Sequence, residues 1–308
     1  MACRWVRLRN RLPTLDSAAR VAYKLVEYAP GIWVSNVNFV ERLGKQAILL
    51  IEALGNYVRF IFSICYWMLR GPGRFARQQL FIQMFEVGTL SIPVVMITGA
   101  FIGAVMAIET FPQFKAIGLD SHIGSIINLT VIKQIGPVLT SVMLAGRVGG
   151  ALTAELGTMR VTEQIDALRA MAANPIRSLA VPRFAACILM MPVMTIFSDA
   201  MGMAGGWVLS VHILGVDSTE YWKYTRDSLE FYTIGTGFLK TMFFGGAIAS
   251  IGCYKGFNAG SGAQGVGKAC TEAFVTSFVV ILVMNFFLAM LMNSIYQVLW
   301  PSQPSMFA

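Results

Sequence analysis

The sequence has few charged residues and few of the side chains that catalyse reactions or bind metals. Aspartate, glutamate, lysine and arginine make up 13% of the 308 residues, against about 25% in an average soluble protein. The only histidines are His122 and His212, and the five cysteines show no metal or redox spacing. The low charge excludes an ordinary soluble protein. We therefore expect no catalytic centre, no metal and no cofactor bound by this chain.

Apolar residues take the place of the missing charge. They make up 56% of the chain and gather in runs that are long enough to cross a bilayer as helices. The runs cover residues 87–111, 123–150, 184–211, 233–257 and 272–299. The sequence therefore predicts an all-α membrane protein with five transmembrane helices, which together form a membrane domain over residues 87–300.

Two segments with a different composition precede these runs. Residues 1–39 are rich in arginine, and we expect a weakly ordered basic arm there. Residues 40–86 mix aromatic, basic and apolar side chains at helical spacing, which is typical of helices that lie in the membrane interface. We expect interfacial, or elbow, helices in that segment.

The basic residues also predict the orientation of the chain. The formal net charge is +8, and with five spans most of the basic residues between spans fall on one side. The positive-inside rule places that side, with the N-terminus, in the cytoplasm and the C-terminus outside it. Because these residues flank apolar runs instead of forming a soluble basic face, we expect no nucleic acid partner.

Some residues inside the runs stand out. Lys133 lies within the second run, where a charge costs a few kcal/mol and usually faces a cavity or the bundle interior, although it could also snorkel to the interface. Gly136-Pro137 predicts a kink in the same helix. Gly99 and Gly103 form a GxxxG pair, which favours close helix packing, either as routine packing or along a seam between two copies.

The stretch from Gly146 to Arg183 is the one long polar segment among the runs. Its centre predicts a short helix at about 162–173, which Asn174-Pro175 ends. Its apolar residues fall on one side of that helix, namely Ile165, Leu168, Met171 and Ala172. Asp166 and Arg169 are spaced to pair. Spacing alone leaves two interpretations open: a helix that presents one face to a soluble partner, or a charged loop that only fixes topology.

The run AGRVGGALTAELGTMRVTEQIDALRAMAANPIRSLAVPR resembles the signature of the MlaE permease family. These proteins are the membrane subunits of bacterial ABC transporters that move phospholipids or related lipids between membranes. The resemblance covers residues 78–292. It implies that the short helix is a cytoplasmic coupling helix between spans 2 and 3 that docks on the ATPase subunit. The residues implied in docking are Glu163, Gln164, Asp166, Leu168 and Met171.

The resemblance also implies the partners. It implies a homodimeric permease in the bacterial inner membrane, two copies of an ATPase subunit that binds the ATP, an MCE-domain lipid-binding protein on the periplasmic side and, in some members, a small cytoplasmic STAS-like subunit. The chain itself is then not an enzyme. A GxxxxGK match ending at Lys268 is rejected as an ATP site because Ala269, not Ser or Thr, follows it.

In the family the lipid lies between the two permease copies. The resemblance implies an apolar wall and a polar headgroup region, formed here by Met106, Phe114 and Ile135 and by Lys133, Gln134, Lys240 and Asn285. Relatives often have Arg-Glu where this chain has Lys133-Gln134, and can have Asp at Asn285. The loss of these acids favours an anionic headgroup. Alternatives to phospholipid transport are a sterol or other hydrophobic cargo, a secondary transporter, and a non-transporting membrane scaffold.

Overall fold

The computed structural model describes residues 30–70, 74–119 and 122–299, and all regular elements in these ranges are helical. The α-helices are α1 (Pro30–Leu69), α2 (Arg74–Gly88), α3 (Ile92–Ala116), α4 (Ile123–Thr130), α5 (Gly136–Leu144), α6 (Gly150–Val161), α7 (Gln164–Ala170), α8 (Val181–His212), α9 (Ser218–Ser228), α10 (Phe231–Phe257) and α11 (Gly262–Leu299). Three π-helical segments cover Val131–Ile135, Ala145–Gly149 and Ile176–Ala180. The predicted all-α class is confirmed.

Five helical segments are long and apolar enough to cross a membrane. We name them span 1 (Gln78–Ala116), span 2 (Ile123–Val161), span 3 (Ile176–His212), span 4 (Phe231–Phe257) and span 5 (Gly262–Val298). The predicted number is confirmed, but several helices run beyond their apolar cores. Span 2 has 39 residues, about 57 Å of helix, against a hydrocarbon core of about 30 Å. Span 2 is therefore longer than a helix needs to be to cross the bilayer.

The chain divides into two compact units, Met1–Arg59 and Phe60–Ala308. The described part of the first unit belongs to α1. The second unit contains all five spans. Most of the predicted basic arm, residues 1–29, lies outside the described residues. The predicted interfacial segment is helical in α1 and α2, and its position in the membrane interface stays a prediction.

Spans 1 and 3 cross at glycines. A Cβ atom added to Gly103 would lie 2.6 Å from the carbonyl carbon of Gly202 and 2.9 Å from its Cα atom, and one added to Gly99 would lie 3.0 Å from the Cα atom of Ser198. The two backbones therefore touch without side chains between them. The predicted GxxxG pair is used for helix packing within this chain.

The main core lies between spans 2, 3 and 4. It includes the buried side chains of Leu144, Leu156, Met194, Phe244 and Ile248. Span 5 is the least buried of the five spans, and its exposed side chains are largely apolar, as expected for a surface that faces lipid or another membrane protein.

Candidate functional site

The polar segment between spans 2 and 3 forms a hairpin with α7 at its tip. We call residues 150–183 the coupling hairpin. Helix α7 covers Gln164–Ala170 and is shorter than the predicted 162–173, because a turn at each end stops it. At its end the amide of Ala172 donates to the carbonyl of Arg169 and that of Ala173 to Leu168, both at 3.0 Å. This is the Schellman arrangement that ends many helices.

Left-handed residues flank α7 on both sides. Glu163 has a φ of 58° and Ala172 a φ of 57°, and they are the only non-glycine residues with positive φ among those described. This conformation costs about 1 kcal/mol for a residue with a Cβ atom. Such strain persists only where surrounding contacts hold it, and it concentrates at functional sites. The orientation of α7 is therefore fixed by both of its turns.

The contacts of α7 separate an anchored face from a free surface. Ile165 is buried, and Leu168 is half-buried against the same core that fills the space between spans 2, 3 and 4. The other predicted docking residues are exposed, namely Glu163, Gln164, Asp166 and Met171. Met171 is 70% exposed, because it lies beyond the helix end and not on the packed side where periodicity placed it. The predicted Asp166–Arg169 ion pair is present at 2.8 Å.

A second group of polar contacts lies inside span 2, where π-helical bonding over Val131–Ile135 gives way to the α-helix that begins at Gly136-Pro137. We call this break in the α-helix the kink. Pro137 has no N–H, so the carbonyl of Lys133, four residues earlier, loses its α-helical partner. The ammonium of Lys240 donates to the freed carbonyl of Lys133 at 3.2 Å and to Oε1 of Gln134 at 2.5 Å. Gly237, one turn before Lys240, lets span 4 approach the carbonyl of Ile132, which would lie 2.8 Å from an added Cβ atom. Span 4 thus lies directly against this part of span 2.

The two lysines at this kink have different surroundings. Lys240 is 2% exposed and its ammonium is already bonded within the bundle. Lys133 is half-buried, and its ammonium has no hydrogen bond or ion pair in the described part of the chain. Of the two cations, Lys133 is the one that is available to a ligand.

Asn285 lies at the same depth on span 5. The hydroxyl of Tyr232 donates to the carbonyl of Met292 at 2.7 Å, which fixes the antiparallel register of spans 4 and 5. Lys240 comes eight residues after Tyr232 and Asn285 seven before Met292. The Oδ1 atom of Asn285 is buried and accepts no hydrogen bond from the described residues. A buried acceptor without a donor is costly unless a ligand or water completes it.

The predicted apolar wall lies apart from these contacts. Met106 and Phe114 pack against a small cluster near the N-terminal end of span 2, which includes Ile123 and Ile127. Ile135 is half-buried in the first π-helical segment, beside Gln134. The structure therefore joins Lys133, Gln134 and Lys240 directly, and it places Met106 and Phe114 in a different cluster.

Two polar groupings were not expected from the sequence. Asn128 on span 2 donates to the hydroxyl of Thr225 at 2.9 Å and accepts from the hydroxyl of Tyr221 at 3.3 Å, which seats α9 on span 2. Burial raises the pKa of Tyr221 to about 12. The second grouping is an ion pair between Glu155 and Arg183 at 2.6 Å, at the base of the coupling hairpin. Their long separation in sequence gives no pattern by which either pair could be found.

A helical membrane protein with five spans, a polar helix displayed at the tip of a hairpin and cations inside the bundle has the features of a transport subunit. The profile of the family described as Permease MlaE matches residues 80–291. A probable ABC transporter permease protein from Rickettsia felis is 38% identical over 253 residues, which are 81% of this chain and 96% of the relative. The chain belongs to the MlaE permease family.

Two further relatives extend this comparison. The intermembrane phospholipid transport system permease protein MlaE of Haemophilus influenzae is 34% identical over 259 residues, 83% of this chain and 98% of its own. The protein TRIGALACTOSYLDIACYLGLYCEROL 1, chloroplastic, of Arabidopsis thaliana is 35% identical over 207 residues, 67% of this chain and 59% of its own. Two of these three names, those from Rickettsia felis and Haemophilus influenzae, specify a permease, and the second of them specifies phospholipid.

Proposed function

We propose that this chain is the membrane subunit of an ABC transporter that moves phospholipid between the inner and outer membranes of a bacterium. A separate ATPase subunit binds at α7 and hydrolyses the ATP. The observation that supports this most is the division of α7 into an anchored face, Ile165 and Leu168, and an exposed surface that includes Gln164, Asp166 and Met171. Such a helix can take up force from a soluble partner and pass it to the spans.

The assembly that we propose follows the family. Two copies of the chain form the permease in the inner membrane, with two ATPase subunits below it, an MCE-domain protein on the periplasmic side and, in some members, a STAS-like subunit. The N-terminus and the coupling hairpin lie in the cytoplasm and the C-terminus in the periplasm. The basic residues at the ends of the spans support this orientation.

Phospholipid as cargo is supported by the polar groups at the kink in span 2. An unpaired ammonium inside a membrane attracts a phosphate, since the alternative is a charge without a partner at low dielectric. Lys133 supplies that ammonium, and Asn285 supplies a buried acceptor at the depth of Lys240. A sterol offers no phosphate to such a site, which favours phospholipid over the alternative cargo.

The ATPase interface is tested at Met171. Because this side chain is 70% exposed, Met171→Asp should leave the fold intact and abolish both assembly with the ATPase and the stimulation of ATP hydrolysis by lipid. Ala263→Asp places the same charge on the exposed first turn of span 5 and serves as the matched control. Normal assembly of the Met171→Asp variant would contradict the proposed interface.

The cargo is tested at Lys133. The complex is purified from membranes and its bound lipid is identified and counted by mass spectrometry. We expect Lys133→Gln to lower the phospholipid bound per permease several-fold and Lys133→Arg to retain it. Lys115→Gln, which removes an exposed cation from the outer end of span 1, should have no effect. An unchanged lipid content in Lys133→Gln would refute this role for the lysine.

A further inference from the structure

The base of the coupling hairpin contains a buried ion pair. Arg183 opens α8 and is 1% exposed. Its Nη2 atom lies 2.6 Å from Oε1 of Glu155 on α6, and its Nη1 atom donates to the carbonyl of Leu179 at 3.0 Å. The carboxylate of Glu155 remains partly exposed to solvent. A guanidinium that is removed from water in this way depends on its carboxylate partner.

The ion pair joins the two legs of the hairpin at one level. Glu155 precedes α7 on the leg that continues span 2, and Arg183 follows α7 on the leg that begins span 3. Of the ion pairs in the described residues, this is the only one between these two legs. The apolar side chains of both legs also meet here, since Leu152, Leu156 and Leu179 belong to the same core as Ile165 of α7.

Span 4 is held to the same place through backbone contacts. The hydroxyl of Thr153 donates to the carbonyl of Gly149, at 2.7 Å, and to that of Gly252 on span 4, at 3.1 Å. Gly256 lets span 4 lie against α6, where an added Cβ atom would be 2.7 Å from Cβ of Leu156. Span 2 is thus fixed to span 4 independently of the ion pair, and Arg183 adds a polar link to span 2 beside the apolar packing that joins span 3 to both.

We infer that Glu155 and Arg183 are positioning residues that make both legs of the coupling hairpin move as one body. A displacement of α7 then reaches spans 2 and 3 together instead of bending the hairpin between them. This inference rests on the proposed function, because it requires an ATPase that moves α7. Neither residue needs to touch ATPase or lipid for this role.

A purely structural ion pair and one that transmits movement between the legs predict different behaviour in variants. Glu155→Gln alone leaves a buried guanidinium without its countercharge and can fail by misfolding. The double variant Glu155→Gln/Arg183→Met removes both charges, so no buried charge is left unpaired. If the ion pair only neutralises the buried charge of Arg183, the double variant should behave like the wild type. If it transmits movement, the double variant should fold and assemble but remain uncoupled.

The experiment uses the whole complex, reconstituted in vesicles of phosphatidylethanolamine and phosphatidylglycerol. We expect the double variant to keep ATP hydrolysis within about twofold of wild type and to lower lipid transferred per ATP hydrolysed about tenfold. Glu272→Gln is the matched control: it breaks the 2.8 Å ion pair with Lys255 on spans 4 and 5 and should leave the ratio unchanged. A wild-type ratio in the double variant, or an equal loss in Glu272→Gln, would overturn the inference.

A second readout does not depend on cargo. Hydrogen exchange is measured in the complex with and without ATP and vanadate. In the wild type both legs, residues 150–161 and 176–190, should change their exchange with nucleotide, whereas in the double variant only residues around α7 should change. An equal response of both legs in the double variant would refute the inference while leaving the proposed function intact. If the wild-type hairpin itself does not respond to nucleotide, both the proposed function and the inference fail.

Discussion

Gly103 gives the sharpest test of how spans 1 and 3 pack. A Cβ atom at this position would lie 2.6 Å from the carbonyl carbon of Gly202 and 2.9 Å from its Cα atom, whereas ordinary contacts begin at 3.4 Å. The obstacle is backbone, which has no alternative rotamer. In Gly103→Ala the two helices must therefore separate by about 1 Å, and dispersion contacts along the whole crossing weaken.

The expected net effect of Gly103→Ala follows from two opposing contributions. Overpacking costs about 1–3 kcal/mol, and more where nothing can yield. Alanine regains up to about 1 kcal/mol through its higher helix propensity. We therefore expect a loss of about 2 kcal/mol in the free energy of unfolding, measured by denaturant titration in mixed micelles with the tryptophan fluorescence as the signal.

Gly150 provides the matched control for this measurement. It lies in α6, and a Cβ atom added there would meet nothing within 4 Å. Gly150→Ala should consequently stabilise the protein by up to about 1 kcal/mol. The close crossing of spans 1 and 3 would be refuted if Gly103→Ala unfolded at the same denaturant concentration as Gly150→Ala, or at a higher one.

Further predictions concern the turn after α7 and the hydrogen bonds of Asn128 with Tyr221 and Thr225. Ala172→Gly relieves the left-handed strain and should raise the free energy of unfolding of the hairpin by about 1 kcal/mol, whereas Ala167→Gly inside α7 should lower it by a similar amount, as measured by hydrogen exchange. Because the pKa of Tyr221 is raised from 10.0 to about 12, its stabilising contribution is complete below pH 10 and is lost as the pH rises through about 12. The unfolding midpoint should fall more steeply over that range in the wild type than in Tyr221→Phe. Thr225→Val leaves the buried amide of Asn128 without its acceptor and should cost about 1–3 kcal/mol in denaturant titrations.

The five spans could be predicted because lipid leaves the backbone little choice. Without water, each peptide group must be bonded within its own segment, so a long apolar run becomes a helix regardless of its neighbours. The break in α-helical bonding at Pro137 follows from local chemistry in the same way, and the predicted bend of the helix axis stays a prediction. The ends of the spans were less predictable. Span 2 continues as α6 because this helix packs against span 4 through Gly256 and the hydrogen bond from Thr153 to Gly252.

The bounds of α7 could not be predicted, for a different reason. Periodicity placed Met171 and Ala172 on the packed face, but the helix stops at Ala170. A glycine would have indicated a left-handed turn, whereas Glu163 and Ala172 adopt that conformation only because the folded hairpin holds them there. The pairing of Arg183 with Glu155 likewise depends on how two spans pack, which no local pattern records.

Lys240 on span 4 supplies a hydrogen-bond donor that the backbone of span 2 lacks. From the sequence, a lysine near the end of span 4 suggests a headgroup contact. In the structure its ammonium donates a hydrogen bond to the carbonyl of Lys133. An N–H at residue 137 would be the α-helical donor to that carbonyl, but residue 137 is proline. We therefore interpret its burial as a consequence of the kink, with Gln134 holding the ammonium in place at 2.5 Å.

This interpretation predicts that Pro137 and Lys240 are coupled energetically. In the wild type, Lys240→Met should cost about 1–3 kcal/mol, because a freed carbonyl then remains unbonded in the bundle interior. In a Pro137→Ala background the restored amide can bond that carbonyl, so the same substitution should cost less. A double-mutant cycle in denaturant titrations should give a coupling of about 1 kcal/mol or more. Additive effects would show that Lys240 is held by something other than the kink, and would return it to the set of side chains available to a lipid headgroup.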